Sequence, residues 1–461
     1  MTSLVFLRGS EIMGEQILGT ERIRNLLIKY SIPAIIGMLV NSLYNIVDRI
    51  FIGNIEGVGP LAITGLGITL PIMTVILAFG MLVGIGTTTN ISIRLGEGRR
   101  DLAEKLIGNA VTLAVIIGFL IMVIGLIFID KILVIFGASE TTLIYAKAYI
   151  RIILIGAIPN MLSFSLNHSI RGDGSPKTSA GIMIAGCLTN IVLDALLIFG
   201  LGMGIEGAAI ATVISQCLTM VLTLKYYLGG KSNLKLKKEN LKLNPKFVKM
   251  VFAIGVSPFA MQLAASMVQV ISNNSLKMYG GDLAIGAMTT INSISMLFLM
   301  PIFGINQGSQ PIIGFNYGAE KYDRVRKTYL ASLGAATIIL VIGRAVIMIC
   351  PEPIIAVFNR DKELMDITVH GIRLQLMMMP IIGLSITGTN FIQSIGKAKK
   401  AMVLSLLRQV ILLVPAILIL PRIGNLALTG VWIAQPFSDL ISTVITGVIV
   451  FREIKSYKNI A

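Results

Sequence analysis

Charge is what this chain has least of. Only 13% of its 461 residues are Asp, Glu, Lys or Arg, 55% are hydrophobic, and the mean hydropathy is +0.84. An ordinary soluble domain is about a quarter charged, so a water-soluble enzyme is excluded. Cysteine is almost missing: Cys187, Cys217 and Cys350 lie inside apolar stretches at no metal-like spacing, which excludes a disulfide framework and a zinc cluster. The two histidines, His168 and His370, sit near the ends of apolar runs with no partner at ligand spacing and are expected to be structural. There is no Walker A loop, no paired-aspartate motif, no HExxH and no workable Ser/His/Asp set. An ATP-driven pump and an enzyme are thereby excluded, and uphill transport would have to draw on an ion gradient. Before Ile23 no compact apolar segment is followed by small residues, so no cleaved signal peptide is expected; Met13 is an alternative start.

What the chain has is hydrophobic length. A helix crosses a bilayer in about 20 apolar residues. Leu106 to Ile129 and Leu374 to Gly396 carry no charge, and Gly57 to Ile93 and Leu283 to Ala319 are long enough for a span with its flanks. Punctuation by Gly, Pro and charge clusters predicts twelve spans, near 26–52, 61–92, 106–129, 144–168, 179–200, 206–228, 248–277, 283–312, 328–350, 370–392, 402–421 and 427–451. Continuous apolar runs, not alternating ones, make them helices.

The net charge of +16 is a topology signal and calls for no nucleic-acid partner. If the termini and every second connection are cytoplasmic, those segments hold 29 Lys and Arg while the opposite connections hold 9. The positive-inside rule then puts both termini in the cytoplasm. The largest basic segment, Lys225 to Lys249, has eight Lys and one acid, Glu239, and marks the midpoint. The expected organisation is a cytoplasmic segment 1–24, a six-helix lobe 25–228, a basic linker 229–246, a second six-helix lobe 247–452 and a tail 453–461.

The two halves are copies. A shift of 222 residues lays Gly59–Lys105 on Gly281–Lys327 without a gap, with eleven identities in forty-seven positions, among them Gly86 on Gly308, Gly96 on Gly318 and Asp101 on Asp323. Later, Gly207 to Ser215 aligns with Gly430 to Ser438 at a shift of 223. Six spans per copy is an even number, so the copies enter the membrane in the same orientation, the parallel-repeat arrangement of several transporter folds.

Three acids fall inside the spans, Asp48, Asp194 and Asp439, where even a lenient insertion scale charges roughly 2.5–3.5 kcal/mol for an Asp at the centre of the bilayer. Asn41, Tyr44, Asn45 and Asp48 share one helical face. Asp48 is then either an interfacial acid paired with Arg49 or an ionisable group in a water-filled cavity. Asn190 and Asp194, four residues apart, share a face and, with Thr212 of the next span, offer hard oxygen ligands for a proton or sodium ion; the alternative is a helix-packing network. Asp439 has no near basic residue except Arg422 and is either neutral and hydrogen-bonded or functional. Amides crowd the second half, including Gln269, Asn273, Gln375 and Asn390, and Arg344 lies inside the ninth span with no nameable partner. Twenty-three Met, Met296 among them, suit a surface that must accept several shapes, although Met is also ordinary membrane filler.

With Val47-Asp48-Arg49-Ile50-Phe51-Ile52-Gly53 in the first helix, Asn190-Ile191-Val192-Leu193-Asp194 through Gly200 in the fifth and Gly207-Ala208-Ala209-Ile210-Ala211-Thr212 in the sixth, the chain resembles the multidrug and toxic compound extrusion (MATE) family over about residues 22 to 455. The resemblance implies an all-α integral membrane protein, twelve transmembrane helices in two parallel six-helix lobes, working as a cation-coupled antiporter by alternating access in the cell membrane. It implies a coupling-cation site for H+ or Na+ at Asp48, Asn190, Asp194 and Thr212, with no other cofactor. It further suggests a cavity for small lipophilic cations lined by residues such as Tyr44, Asn45, Gln269, Asn273, Met296, Asn390 and Asp439. No obligatory protein partner is indicated. A second, sodium-coupled branch carries acids in the seventh and tenth helices; this chain has Ser266 at about the former place and no acid from Leu374 to Gly396. The alternative within the same superfamily is a flippase of a lipid-linked oligosaccharide.

Overall fold

The computed structural model describes residues 17–55, 59–230, 232–357, 362–424 and 426–458; Met13 lies outside them. Helix dominates, because backbone that meets lipid must satisfy its own hydrogen bonds. The spanning helices are α1 (Ile23–Gly53), α2 (Gly59–Gly96), α3 (Arg100–Ile127), α4 (Glu140–Ile155), α5 (Ala157–Gly172), α6 (Pro176–Gly200), α7 (Gly204–Leu228), α8 (Pro245–Gly281), α9 (Leu283–Gly318), α10 (Tyr322–Ile349), α11 (Lys362–Gln375), α12 (Met379–Ser394), α13 (Ala398–Arg422) and α14 (Ala427–Lys458). Ten are single helices long and apolar enough to cross a membrane, and the pairs α4/α5 and α11/α12 bring the number to 12 when each counts as one bent span. Several run past the ranges read from the sequence, as in α9 to Gly318 and α5 to Gly172. The charge that ended the apolar window does not end the helix, whose hydrogen bonds continue into the polar turn. Exposed Ile127, Ile135, Ile349 and Phe451 form the outward apolar surface that lipid covers.

The bends follow the repeat. Bent span α4/α5 turns by 56° between Ile155 and Ala157, and α11/α12 turns by 55° between Gln375 and Met379; the 222-residue shift carries Gly156 onto Met378. The fifth span ends in a π-helical segment, Ala195–Gly200, and the eleventh contains one, Leu407–Leu413. Gly207 and Gly430, aligned in the sequence, both sit against the preceding span: a Cβ on Gly207 would meet the Leu197 carbonyl carbon at 3.0 Å and one on Gly430 the Pro421 nitrogen at 2.5 Å. At the junction of α8 and α9, Gly281 adopts φ 66°, a left-handed conformation that a side chain would strain.

Contacts divide the chain into two compact units, but not at the linker. Of the described residues, unit 1 holds those within 17–21, 36–259 and 314–320, and unit 2 those within 22–35, 260–313 and 321–458. The first turns of α1 thus group with the second half of the sequence, and the first turns of α8 with the first half. Glycines make the exchange physical. In unit 2, a Cβ on Gly304 would meet Ile35 N at 2.8 Å, and one on Gly308 would meet Ser31 Oγ at 2.5 Å. In unit 1, a Cβ on Gly86 would lie 2.3 Å from the Val251 carbonyl oxygen, and Asn90 Nδ2 donates to the Met250 carbonyl at 2.9 Å. Gly86 and Gly308 are the repeat-matched pair. Small residues at these crossings let backbones touch, which is how helices associate where lipid removes the hydrophobic drive.

Each unit has its own core. Unit 1 packs Leu66, Leu133, Tyr149, Ile150 and Ile198 together; unit 2 packs Ile291, Ile302, Leu340, Ile372 and the single tryptophan, Trp432, which is 1% exposed.

The basic linker is tied down on unit 1. Asp173, just beyond α5, accepts at Oδ2 from Tyr226 Oη (2.5 Å), Ser232 Oγ (2.8 Å) and Asn233 N–H (3.1 Å). Further along, Lys235 N–H donates to Glu104 Oε1 at 3.2 Å, Lys237 pairs with Glu104 Oε2 at 2.8 Å, Thr112 Oγ1 donates to the Leu241 carbonyl at 2.6 Å and Asn244 N–H donates to Asn109 Oδ1 at 2.8 Å. Gly108 makes room: a Cβ there would lie 2.3 Å from the Asn240 carbonyl oxygen. The linker is held by carboxylates and amides more than by its lysines.

Candidate functional site

Unit 1 gathers the acids of α1 and α6. Asp48, Asn190, Asp194 and Thr212 are 7%, 3%, 0% and 4% exposed, so two carboxylates stand in a nearly dry interior. The helical spacing seen in the sequence places them there: α1 turns Asp48 inward beside Tyr44, and the four-residue step of α6 stacks Asn190 and Asp194. Asp48 and Asp194 are within electrostatic reach of each other, and Tyr44 is within reach of both. One oxygen of each carboxylate, Asp48 Oδ1 and Asp194 Oδ1, is buried with no hydrogen-bond partner.

Asn190 sets the geometry. With its amide oriented to match donors to acceptors, its nitrogen donates to Asp194 Oδ2 at 3.1 Å and its oxygen accepts from the Thr212 N–H at 3.2 Å. Asn190 thereby spends one of the two lone pairs of its carbonyl on the Thr212 backbone. It props the carboxylate, and the oxygens left without a partner are those of Asp48 and Asp194. Two like charges with orphaned oxygens in a medium of low dielectric repel strongly, so a cation or a proton taken between them relieves the site. The π-helical segment that follows Asp194 directly is a form common at functional positions.

A residue the sequence reading missed, Tyr149 of α4, is 2% exposed, within electrostatic reach of Asp48 and Asp194, and beside the Thr212 hydroxyl. Nothing in the local sequence sets it apart: Tyr145, Lys147 and Arg151 share its helix.

The wider set of cavity residues is divided between the two units and is described in each by itself. Tyr44 adjoins the carboxylates, but Asn45 is exposed and bonds back to Asn41, to its carbonyl at 2.7 Å and to Oδ1 at 3.0 Å. In unit 2, Gln269 Nε2 donates to Asn273 Oδ1 at 3.0 Å, Asn390 Nδ2 donates to the Asn306 carbonyl at 3.3 Å, and Met296 is 48% exposed. Asp439 corrects its expectation: it is paired, with Arg408 Nε at 2.8 Å, and also accepts from Gln435 Nε2 at 3.0 Å. Arg408 is a helical residue of α13, and tertiary packing brings it to α14. His168 likewise has a partner, Arg171, whose Nη2 lies 2.6 Å from its Nδ1. Arg344 keeps a buried Nη1 with no hydrogen-bond partner. Among the described residues no cluster of three or more His, Cys, Asp or Glu could hold a metal ion, and the three cysteines are free.

The profile of the MatE family matches residues 33–196 and 258–419, one stretch in each half of the chain. The chain belongs to the MatE family. MatE proteins are membrane transporters, not enzymes. Among curated relatives, the multidrug export protein MepA of Staphylococcus haemolyticus is 26% identical over 402 residues, 87% of each chain, and MepA of Staphylococcus aureus (strain MSSA476) is 25% identical over 402 residues. Among solved structures, a multidrug resistance MATE family transporter in an outward-facing conformation superposes with a TM-score of 0.91 at 24% identity, covering 97% of this chain and 99% of that one. A MOP superfamily transporter from Pyrococcus furiosus, described as having a binding pocket of reverse polarity, gives a TM-score of 0.90 at 24% identity over 96% and 98%. At these identities the structural likeness is a likeness of fold, and the MatE fold of the chain is the twelve-span, two-copy architecture above.

Proposed function

We propose that this MatE protein exports small lipophilic, mostly cationic compounds across the plasma membrane by alternating access, driven by inward flow of H+ or Na+ through the unit 1 carboxylate pair. Both termini lie in the cytoplasm on this reading, in keeping with the bias of basic residues. The observation that carries it is the pair of buried carboxylates, Asp48 and Asp194, each with an oxygen that no described residue satisfies. Such a pair is stable in apolar surroundings only with a cation or proton bound, so loading and unloading the site changes the packing of α1 and α6. The ion is cargo here, exchanged in every cycle, and no resident cofactor is required. The MepA relatives, named for multidrug export, support the class of substrate.

The test is transport. Protein reconstituted into liposomes is given a proton gradient or a sodium gradient separately, and ethidium movement is followed by fluorescence. Export under one gradient and not under the other identifies the coupling ion. Asp194→Asn removes the shared charge and is expected to abolish gradient-driven ethidium movement in inverted vesicles; undiminished transport would refute the assignment, with Asp439→Asn as the comparison.

A further inference from the structure

Unit 2 has a polar cavity of about 160 Å³ that the carboxylate mechanism does not use. Its polar lining is almost entirely uncharged amide: Gln269, Ser272, Asn292, Gln375, Gln409 and Gln435, contributed by α8, α9, α11, α13 and α14. The protein does not fill the hydrogen-bonding capacity of this lining. Gln269 and Gln435 each have one amide N–H engaged, on Asn273 Oδ1 and Asp439 Oδ1, both at 3.0 Å, which leaves their carbonyl oxygens and a second N–H. Gln375, only 8% exposed, has a buried Oε1 with no partner. An orphaned buried carbonyl costs about 1–3 kcal/mol unless a donor reaches it.

Charge decides what that donor is. The carboxylate nearest this lining in the bonding network, Asp439, is already held by Arg408, and Arg408 directly precedes the lining residue Gln409. The lining itself carries no charged side chain, and the carboxylate bonded to it is already taken, so an entering ion of either sign finds no free counter-charge. A neutral group with N–H or O–H donors fits both conditions. The size fits only part of a drug, since sites that enclose a whole drug-sized molecule run about 300–1,000 Å³. Leu413, Ile417 and Val431 line it beside the amides, so an apolar body is accommodated next to the polar end.

We propose that this cavity is a second ligand subsite, which takes the neutral, hydrogen-bond-donating end of amide- or hydroxyl-bearing compounds and is separate from the cation-handling acids of unit 1. It rests on the export reading only in supposing that the ligand is a transported compound.

The test is equilibrium binding to the purified, detergent-solubilised full chain with no gradient imposed. The probes are radiolabelled chloramphenicol, which is neutral and carries an amide N–H and two hydroxyls, ethidium as a permanent cation, and Na+ alone. Gln375→Leu and Gln409→Leu are each expected to weaken chloramphenicol binding at least tenfold and to leave ethidium binding within twofold. Emission from the single buried Trp432 reports that the fold of unit 2 is kept. Ser272→Cys, a small change, gives an independent readout: chloramphenicol should slow alkylation of that cysteine, followed by peptide mass spectrometry, and ethidium and Na+ should not. No saturable binding of chloramphenicol to the unaltered chain, an equal loss of both ligands in the Leu variants, or protection of the Ser272→Cys thiol by Na+ would each overturn the proposal. Because no gradient is involved, failed ethidium export would remove the proposed function and leave this result standing.

Discussion

The contact between the linker and unit 1 should loosen as pH rises, and Asp173 sets by how much. Its side chain is 1% exposed, and burial, opposed by the hydrogen bonds from Tyr226, Ser232 and the linker backbone, pushes the carboxyl from its ordinary 3.8 up to about 7. Release of the linker removes Ser232 and Asn233 and opens the carboxylate to water, where the ordinary value returns. The docked form therefore holds a proton that the released form has lost. Docking is complete below the ordinary value, weakens by about 1.4 kcal/mol per pH unit as pH rises, and reaches its floor above about pH 7. Over that interval the loss is on the order of 4 kcal/mol, an upper figure because the released chain keeps some structure. In Asp173→Asn the amide oxygen can accept the same three donors, the nitrogen occupies the place of the unpartnered Oδ1, and there is no proton to lose. Hydrogen exchange of the backbone amides of 232–244, normalised to their intrinsic rates at pH 5, 6, 7 and 8, reads the docking equilibrium. Protection should fall with pH in the unaltered chain, stay level in Asp173→Asn, and be at least tenfold higher in the variant at pH 8. A Glu104→Gln background takes the Lys237 ion pair out of the slope. Equal slopes with and without Asp173, or protection that ignores pH in the unaltered chain, would refute the reasoning.

Further outcomes follow from the same structure. Asp48→Asn and Asp194→Asn should each remove as much gradient-driven ethidium transport as the double variant, since the two acids act as one site; additive losses would separate them. Arg408→Ala should lower thermal stability in detergent by about 3–5 kcal/mol by leaving Asp439 buried and unpaired, and Arg408→Leu with Asp439→Leu should recover most of it. If the double variant is no more stable than Arg408→Ala, the pair is not what holds α13 to α14. Gly308→Val and Gly86→Val should each cost about 1–3 kcal/mol or more, because the added atoms meet Ser31 backbone or the Val251 carbonyl and the helices must separate; an unchanged melting temperature would show that these crossings are loose.

The spans, their number and the duplication were legible because lipid imposes them residue by residue: a charge-free run of sufficient length has one stable form. Asp48, Asn190, Asp194 and Thr212 were legible for the same reason, as polar side chains in an apolar solvent at helical spacing. What the sequence withheld depends on neighbours in space. The Arg408–Asp439 pair joins residues 31 positions apart on different helices, and nothing in either local sequence announces it. Tyr149 counts as an ordinary core aromatic until α4 is set beside α1 and α7. The bends of α4/α5 and α11/α12 each have a proline just past the break, Pro159 and Pro380, but a proline alone does not tell a bend from the start of a new span; they become meaningful only when Gly156 and Met378 are seen to be the same place in two copies. Which end of the Asn190 amide faces Asp194 depends on the Thr212 N–H across the interface, a contact the local sequence does not give.

The traded ends of α1 and α8 also bear on how such a protein is made. Synthesis runs from the amino end, so residues 22–35 enter the membrane long before the glycine groove of α9 that receives them exists. Until Gly304 and Gly308 arrive, that stretch of α1 can only wait in lipid, and neither copy can finish its own packing alone. The duplication that gave the chain two similar bundles thus did not give it two self-sufficient ones: a gene cut at the linker would have to be translated as both fragments in one cell before either bundle closed.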